Sequence, residues 1–238
     1  MDVRSDYDLM KIHAAALFAY DAVGRLRYVR EPGDPHSPPR FFMGRTLQGN
    51  VWHLRHDLPA EVTGDLEQLC RSEPVTPDLR SPPRAAPAIR ARLHAHAPVT
   101  LEERGPAYWI PESVRAPRDV VRITKENGHL LEAAFPWLLR RILDGIDVGP
   151  VVASVVKRTA VSTCYCARLS PSAAEAGVVT LDAMRGRGYA TAAVAGWAAA
   201  IRERGLLPLY STSWENLPSL RVAHKLGMVL YGEDWSIE

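Results

Sequence analysis

The sequence predicts an α+β fold, and three observations carry that prediction. Strand-like and helical runs stand side by side in the first half, separated by proline-rich connections. In the second half, two consecutive strands are joined by a short turn. After them, one strand runs through a glycine turn straight into an amphipathic helix. With 238 residues and 47% apolar content, the chain can bury a sizeable core as one large domain or two modest ones.

Taken in order, the elements begin with a helix expected near residues 9–20. Strand-like runs follow at 25–29, 40–43 and 50–55, then helical stretches near 61–70 and 88–96. Fourteen of the 19 prolines fall within residues 1–117, which marks long irregular connections there. In the segment 105–117, Pro106, Pro111 and Pro117 interrupt the apolar Tyr108, Trp109 and Ile110. That segment is the expected boundary between an additional N-terminal α+β region, 1–117, and a C-terminal domain, 118–238.

Past the boundary, 119–124 is a short β-branched strand, and 126–134 and 135–143 are helical. Strands at 150–156 and 160–168 are joined by a hairpin turn over 157–159. A strand at 175–181 leads into the glycine turn and a helix in which Val194, Trp197, Ala198 and Ile201 share one face. Gly205 suits the left-handed end of that helix. Another strand spans 206–212, and a short helix follows with Asn216 as cap, Pro218 in its first turn and Gly227 past its end. A strand at 228–235 closes the chain.

Twenty-nine Lys plus Arg against 27 Asp plus Glu give a formal charge of only +2, so the total predicts neither a nucleic-acid footprint nor an anionic membrane partner. Asp2, Arg4, Asp6 and Asp8, followed by a short apolar stretch that contains His13, are unlike a secretory leader. No run approaches the roughly 20 apolar residues a spanning helix needs. Cys70, Cys164 and Cys166 are too few for a disulfide framework and read as reduced core residues of a cytoplasmic protein.

The chemistry concentrates after the strand at 175–181, where Arg185, Gly186, Arg187, Gly188, Tyr189, Ala190 and Thr191 lead into a helix. A helix N-terminus presents backbone NH groups with no internal partner and carries a positive dipole potential, so this turn is an anion site. Gly186 and Gly188 let the backbone approach phosphate oxygens; Arg185 and Arg187 add charge, and Thr191 offers a hydroxyl. The Rossmann fingerprint would need a further glycine and the P-loop a Gly-Lys-Ser/Thr, and neither is present. Read alone, Arg185 to Gly188 are equally compatible with a flexible tight turn.

The run Arg185-x-x-Gly188-x-Ala190 resembles the Arg/Gln-x-x-Gly-x-Gly/Ala signature of the GNAT superfamily of acyl-CoA-dependent N-acyltransferases. Asn216, Ser219, Leu226, Gly227 and Met228 resemble a second pattern of that superfamily, on the helix after its fifth strand. The resemblance covers 118–238 and implies a mixed, mostly antiparallel GNAT-like sheet flanked by helices. It implies acetyl-CoA, or another acyl-CoA, as co-substrate and no metal. The backbone of 185–190 would bind the pyrophosphate, Val179, Thr180 and Leu181 would hydrogen-bond the pantetheine arm, and Asn216 and Ser219 would belong to the same site. The cofactor would lie between two splayed strands, and Pro208, which lacks a ladder donor, suits a splay.

Acyl transfer to an amine needs a proton acceptor for the nucleophile and a donor for the leaving thiolate. In many members of the superfamily a tyrosine seven residues after the motif asparagine is the donor; here Ala223 stands there. Glu175, where several members place a carboxylate, is the candidate base. Tyr210 and Ser213 are candidate donors, beside Ser211 and Trp214. His53 and His56 fall on opposite faces of a strand, which is wrong for chelation. The expected function is a cytoplasmic N-acetyltransferase acting on a small-molecule or peptide amine, with an N-terminal region that helps shape the acceptor site. The alternative is an acyl-CoA-binding regulatory domain or pseudoenzyme without efficient turnover, motivated by Ala223.

Overall fold

The computed structural model describes residues 4–238; residues 1–3, Asp2 among them, lie outside the described residues. The chain opens with helix α1 (Asp6–Leu17), capped by Ser5, whose side chain accepts from the Asp8 amide. The helix expected to reach residue 20 stops at Leu17, because Phe18–Tyr20 is extended as β1 and pairs antiparallel with β2 (Leu26–Val29). Strands β3 (Phe41–Thr46) and β4 (Gly49–Leu54) form a hairpin, followed by helices α2 (Ala60–Ser72) and α3 (Ala86–His96).

Next comes β5 (Glu102–Trp109), a strand where the sequence suggested a connection. Gly105 and Pro106 disguise it, and the structure explains both. The Trp214 amide donates to Arg104 O, so by strand alternation Pro106 faces the same neighbour, β10. The ladder on that side ends at Ala107, so the missing proline NH costs no hydrogen bond there. Gly105 is needed because the backbone of Thr212 and Ser213 passes directly over it.

The remaining elements are β6 (Val120–Ile123), a 3-10 turn at Gly128–Leu131, α4 (Pro136–Leu143), β7 (Val151–Val156), β8 (Thr159–Leu169), β9 (Ala173–Thr180), α5 (Tyr189–Glu203), β10 (Leu207–Ser211), α6 (Leu217–Lys225) and β11 (Val229–Ile237). Of the helix expected over 126–134, only the 3-10 turn forms. Nine strands make one sheet in the order β4-β3-β11-β5-β10-β9-β8-β7-β6. Every neighbouring pair in it is antiparallel except β9 and β10, which gives the mixed, mostly antiparallel α+β sheet the sequence predicts. Strands from both sides of residue 117 share this sheet, with β5 between β11 and β10.

Helices cover both faces of the sheet. On one, Val194, Trp197, Ala198 and Ile201 of α5 pack on Val152, Cys164, Cys166, Ala174 and Ala176, with Tyr210 and the α6 residues Val222 and Ala223 in the same cluster. Burying side chains of this kind contributes on the order of 1.5–3 kcal/mol each. On the other face, Leu9, Met10 and Ala14 of α1 pack on Phe42, Ala107, Ala173, Leu209 and Tyr231. Among the described residues no helix is long and apolar enough to cross a membrane.

Candidate functional site

β9 and β10 run side by side only at their starts. Their parallel register covers Leu207↔Ala173, Pro208↔Ala174 and Leu209↔Glu175. Beyond Glu175, β9 continues to Thr180 paired with β8 alone, while β10 ends at Ser211 paired with β5. A splay therefore opens at Glu175. Pro208 lies before it, in the paired part. Its carbonyl accepts from the Ile110 amide, so its missing NH points towards β5, where the ladder has already ended at Trp109. The proline is accommodated by that ladder end and not by the splay.

The two faces of the splay differ in chemistry. Alternation sends Ala174, Ala176 and Val178 towards α5 and Glu175 towards α1. On the α5 face lies a cavity of about 530 Å³. It is lined by Val178, Thr180 and Met184, by Arg185, Gly186, Gly188, Tyr189, Ala190 and Thr191, and by Asn216, Ser219, Arg221 and Lys225. The first helical bond of α5 runs from the Ala192 amide to Gly188 O, which leaves the amides of Tyr189, Ala190 and Thr191 without an intrahelical acceptor at the cavity wall. Gly186 and Gly188 hold positive φ values of 77° and 89°, and a side chain on either would project into open space, so the loop backbone is bare. Arg221 and Lys225 add cationic charge from α6 that the sequence reading missed, and among the described residues no carboxylate lines the cavity. Arg185 is held 2.8 Å from Asp182. Asn216 caps α6 by accepting from the Ser219 amide.

Three of the sequence-derived residues stand elsewhere. Val179, Leu181 and Arg187 do not line the cavity. The Leu181 amide donates to Val161 O and Val179 O accepts from Ser162 Oγ, so both residues turn their backbone groups towards β8. The alternate residues Ala176, Val178 and Thr180 face the splay instead. An extended ligand lying there would meet these three.

On the α1 face lies a second cavity, of about 340 Å³. Its lining includes Glu175, Ser211, Thr212, Ser213, Gly105, Glu103 and Asp234 from the sheet, and Leu17, Phe18, Val29 and Phe42 from the N-terminal half. Glu175 is nearly buried. Its Oε1 accepts from Ser211 Oγ at 2.6 Å and lies 3.2 Å from His13 Nε2. His13, on α1 and fully buried, has its Nδ1 2.8 Å from the Tyr231 hydroxyl. Burial alone would raise the Glu175 pKa, but the His13 hydrogen bond and charge and the Ser211 bond outweigh it and hold the carboxyl below its ordinary value. Burial would lower His13, yet its bond to Glu175 and the charges of Glu175 and Asp234 bring it above the ordinary imidazole value. Burial pushes Asp234 up to about 7, against the attraction of His13 and helped by Glu175, Glu233 and Glu103.

Of the candidate catalytic residues, Glu175 and Ser213 thus share the second cavity. Tyr210 points to the opposite face, buried in the α5 cluster, with its hydroxyl 3.5 Å from Ser219 O on α6. Burial pushes its pKa up to about 12. Ala223 is buried in the same cluster. His13 and Asp234 went unnoticed in the sequence because their partners lie 162 and 221 positions away along the chain, counted from Glu175 and from Asp234 to His13. His53 and His56 do not converge: His53 stacks near Tyr20 and Phe42, while His56 Nδ1 lies 3.0 Å from Leu26 O. Among the described residues, no group of three or more His, Cys, Asp or Glu is arranged to hold a metal.

A family model described as GNAT acetyltransferase matches residues 141–233, in line with the resemblance read from the C-terminal half. A comparison with curated proteins finds no match. Among solved structures, a GCN5-related N-acetyltransferase-like protein from Streptococcus suis 89/1591 is 17% identical, covering 98% of this chain and 100% of its own, with a TM-score of 0.49. A GNAT-family acetyltransferase from Colwellia psychrerythraea is 14% identical, covering 99% of this chain and 98% of its own, with a TM-score of 0.47. A GNAT-family acetyltransferase from Novosphingobium aromaticivorans DSM 12444 is 17% identical with a TM-score of 0.44. The match covers 58% of this chain and 65% of that one, just under two thirds of its length.

Proposed function

We propose that this chain, whose residues 141–233 match the GNAT acetyltransferase family, is an N-acyltransferase that moves an acyl group, acetyl in the first instance, from acyl-CoA to a primary amine by direct transfer. The observation that carries the reading is the splay beyond Glu175, which has a cationic, NH-lined cavity on one face and a carboxylate-lined cavity on the other. The first cavity fits a pyrophosphate: open helix-N-terminal amides, two bare glycines and the side chains of Arg185, Arg221 and Lys225 converge on it. Ala176, Val178 and Thr180 would hold the extended arm. When bound, acyl-CoA supplies an activated thioester carbonyl.

The chain's own residues supply the rest. Glu175 and Asp234 attract an ammonium group into the second cavity, whose wall from α1, β1 and β2 shapes the space for the acceptor. Tyr210, buried in the α5 cluster behind the first cavity with its hydroxyl 3.5 Å from Ser219 O, is the candidate proton donor in place of the family tyrosine. The acceptor is a small molecule or the amine of a peptide. A second reading, an acyl-CoA-binding protein without efficient turnover, is favoured by the buried apolar Ala223 alone. Incubation with acetyl-CoA and a panel of amines, following thiol release, separates the two. Turnover with at least one amine is expected; tight CoA binding with no thiol release from any amine would favour the second.

A further inference from the structure

We infer that Asp234, and not Glu175, takes the proton from the acceptor amine, while Glu175 serves as a fixed anion beside it. The inference rests on the acyltransfer reading and assigns the roles of the two carboxylates within it.

The geometry distinguishes the two groups. Glu175 is committed: one of its oxygens accepts from Ser211 at 2.6 Å and lies 3.2 Å from His13 Nε2. Its side chain is 10% exposed. Asp234 is on β11, opposite Gly105 of β5 and Gly44 of β3, neither of which carries a side chain to cover it. Its side chain is 19% exposed, lines the same cavity, and stands 3.7 Å from His13 Nε2, beyond hydrogen-bond reach. Among the described residues no side-chain hydrogen bond is made to its carboxylate. An amine entering the cavity therefore meets one carboxylate whose Oε1 is already engaged by Ser211 and His13 and one with both oxygens free of side-chain partners.

The charged surroundings favour the same division. Towards Asp234 face His13 from α1, Glu175 from β9, Glu103 from β5 and Tyr231 from its own strand, while Glu233, next to it on β11, turns to the opposite face and is paired with Arg45 and Arg104. The arginines at the cavity are engaged elsewhere: Arg104 with Glu233 and Arg168 with Glu31. The other titratable side chains of the lining are His36 and Glu238. A buried carboxylate with Glu175 and Glu103 beside it is a stronger base than one held ionised by a histidine and a serine, and a base near neutrality is better matched to an amine. In the step, the ammonium N–H bond breaks and an O–H bond forms on Asp234. The electron pair stays on nitrogen, which becomes the nucleophile, and the proton leaves to solvent through the exposed side of the carboxyl.

The test pairs carboxyl 13C NMR titration of the free protein with pH-rate profiles of wild type, Asp234→Asn and Glu175→Gln, using acetyl-CoA and the best amine of the panel. The expected spectrum has one carboxyl titrating near neutrality, missing from Asp234→Asn and present in Glu175→Gln. The expected rates show a limb rising through neutral pH in wild type and in Glu175→Gln. In Asp234→Asn the limb is lost, with kcat down by roughly 100-fold or more and acetyl-CoA affinity unchanged. A limb kept by Asp234→Asn, or lost only in Glu175→Gln, overturns the assignment while leaving acyl transfer intact. Absence of a carboxyl titrating near neutrality in wild type overturns it without recourse to a variant. No thiol release by wild type with any amine overturns the acyltransfer reading itself.

Discussion

Replacing Gly105 by alanine perturbs the acceptor side of the splay through a single methyl group. A Cβ on Gly105 would lie 2.6 Å from the carbonyl carbon of Thr212 and 2.7 Å from Ser213 Cα, and closer still to Thr212 O. Carbon atoms in contact keep about 3.5 Å apart, so the backbone of one strand must retreat by roughly 0.8 Å or more. Both sides of the clash are main chain, and no side chain can swing away. Overpacking of this kind costs about 1–3 kcal/mol, and the reduced freedom of the unfolded chain offsets about 0.4–1 kcal/mol of it. We expect a net loss of about 1–2 kcal/mol, or roughly 2–8 °C in Tm for a domain of this size. The same shift moves Thr212 and Ser213 and, through them, Ser211 on Glu175. Misplacement on the order of 1 Å can lower kcat/KM for the amine by about 100-fold. Acetyl-CoA affinity should hold, since Gly105 does not line the cationic cavity. Urea unfolding and steady-state kinetics measure both effects. A Tm within 1 °C of wild type, taken as roughly the resolution of such a shift, would refute the close crossing of β5 by Thr212.

Tyr210→Phe should lower kcat by about 100-fold or more while leaving the CoA dissociation constant unchanged, if its hydroxyl is the proton donor; an unaltered kcat would return that role to water. Arg45 is fully enclosed, with its Nε 2.7 Å from Glu233 Oε2, and burial already raises the Glu233 pKa. Arg45→Leu leaves that carboxylate only Arg104 and Trp214 as partners and should cost about 1.5–3 kcal/mol at neutral pH by chemical unfolding. The loss should shrink on acidification, because a raised pKa lets Glu233 take up a proton before an unfolded glutamate would. A loss independent of pH would point to packing alone.

The parts of the fold that could be read from the sequence are those whose signals are local. The hairpin between β7 and β8, the α5 face and the Asn216 cap each sit within a few residues of their own cause. β5 was not legible, because the reasons for Gly105 and Pro106 are on β10, more than 100 residues later along the chain. The anion loop was legible for the same local reason: strand, glycines and helix N-terminus are consecutive. Its cationic complement, Arg221 and Lys225, came from another helix and was not. In β9 the sequence marked Val179, Thr180 and Leu181 together, and only the Leu181 to Val161 bond shows that the backbone groups of 179 and 181 face β8 while Thr180 faces the splay. The acceptor side was least visible. Glu175 stood out by its position before the loop, whereas His13 and Asp234 join it only when α1 packs on the sheet and β11 takes its place between β3 and β5.

The central claim is that the loop from Arg185 to Thr191 holds the phosphates of acyl-CoA, and calorimetric titration of CoA into wild type and Gly188→Val tests it most directly. At φ 89° a valine is strained, and its side chain would project from the bare loop where phosphate oxygens must approach. The account predicts saturable one-site binding to wild type and a loss of affinity on the order of 10-fold or more in the variant, with the fold retained by circular dichroism. Equal affinity in the two proteins, or no binding to wild type, would contradict it.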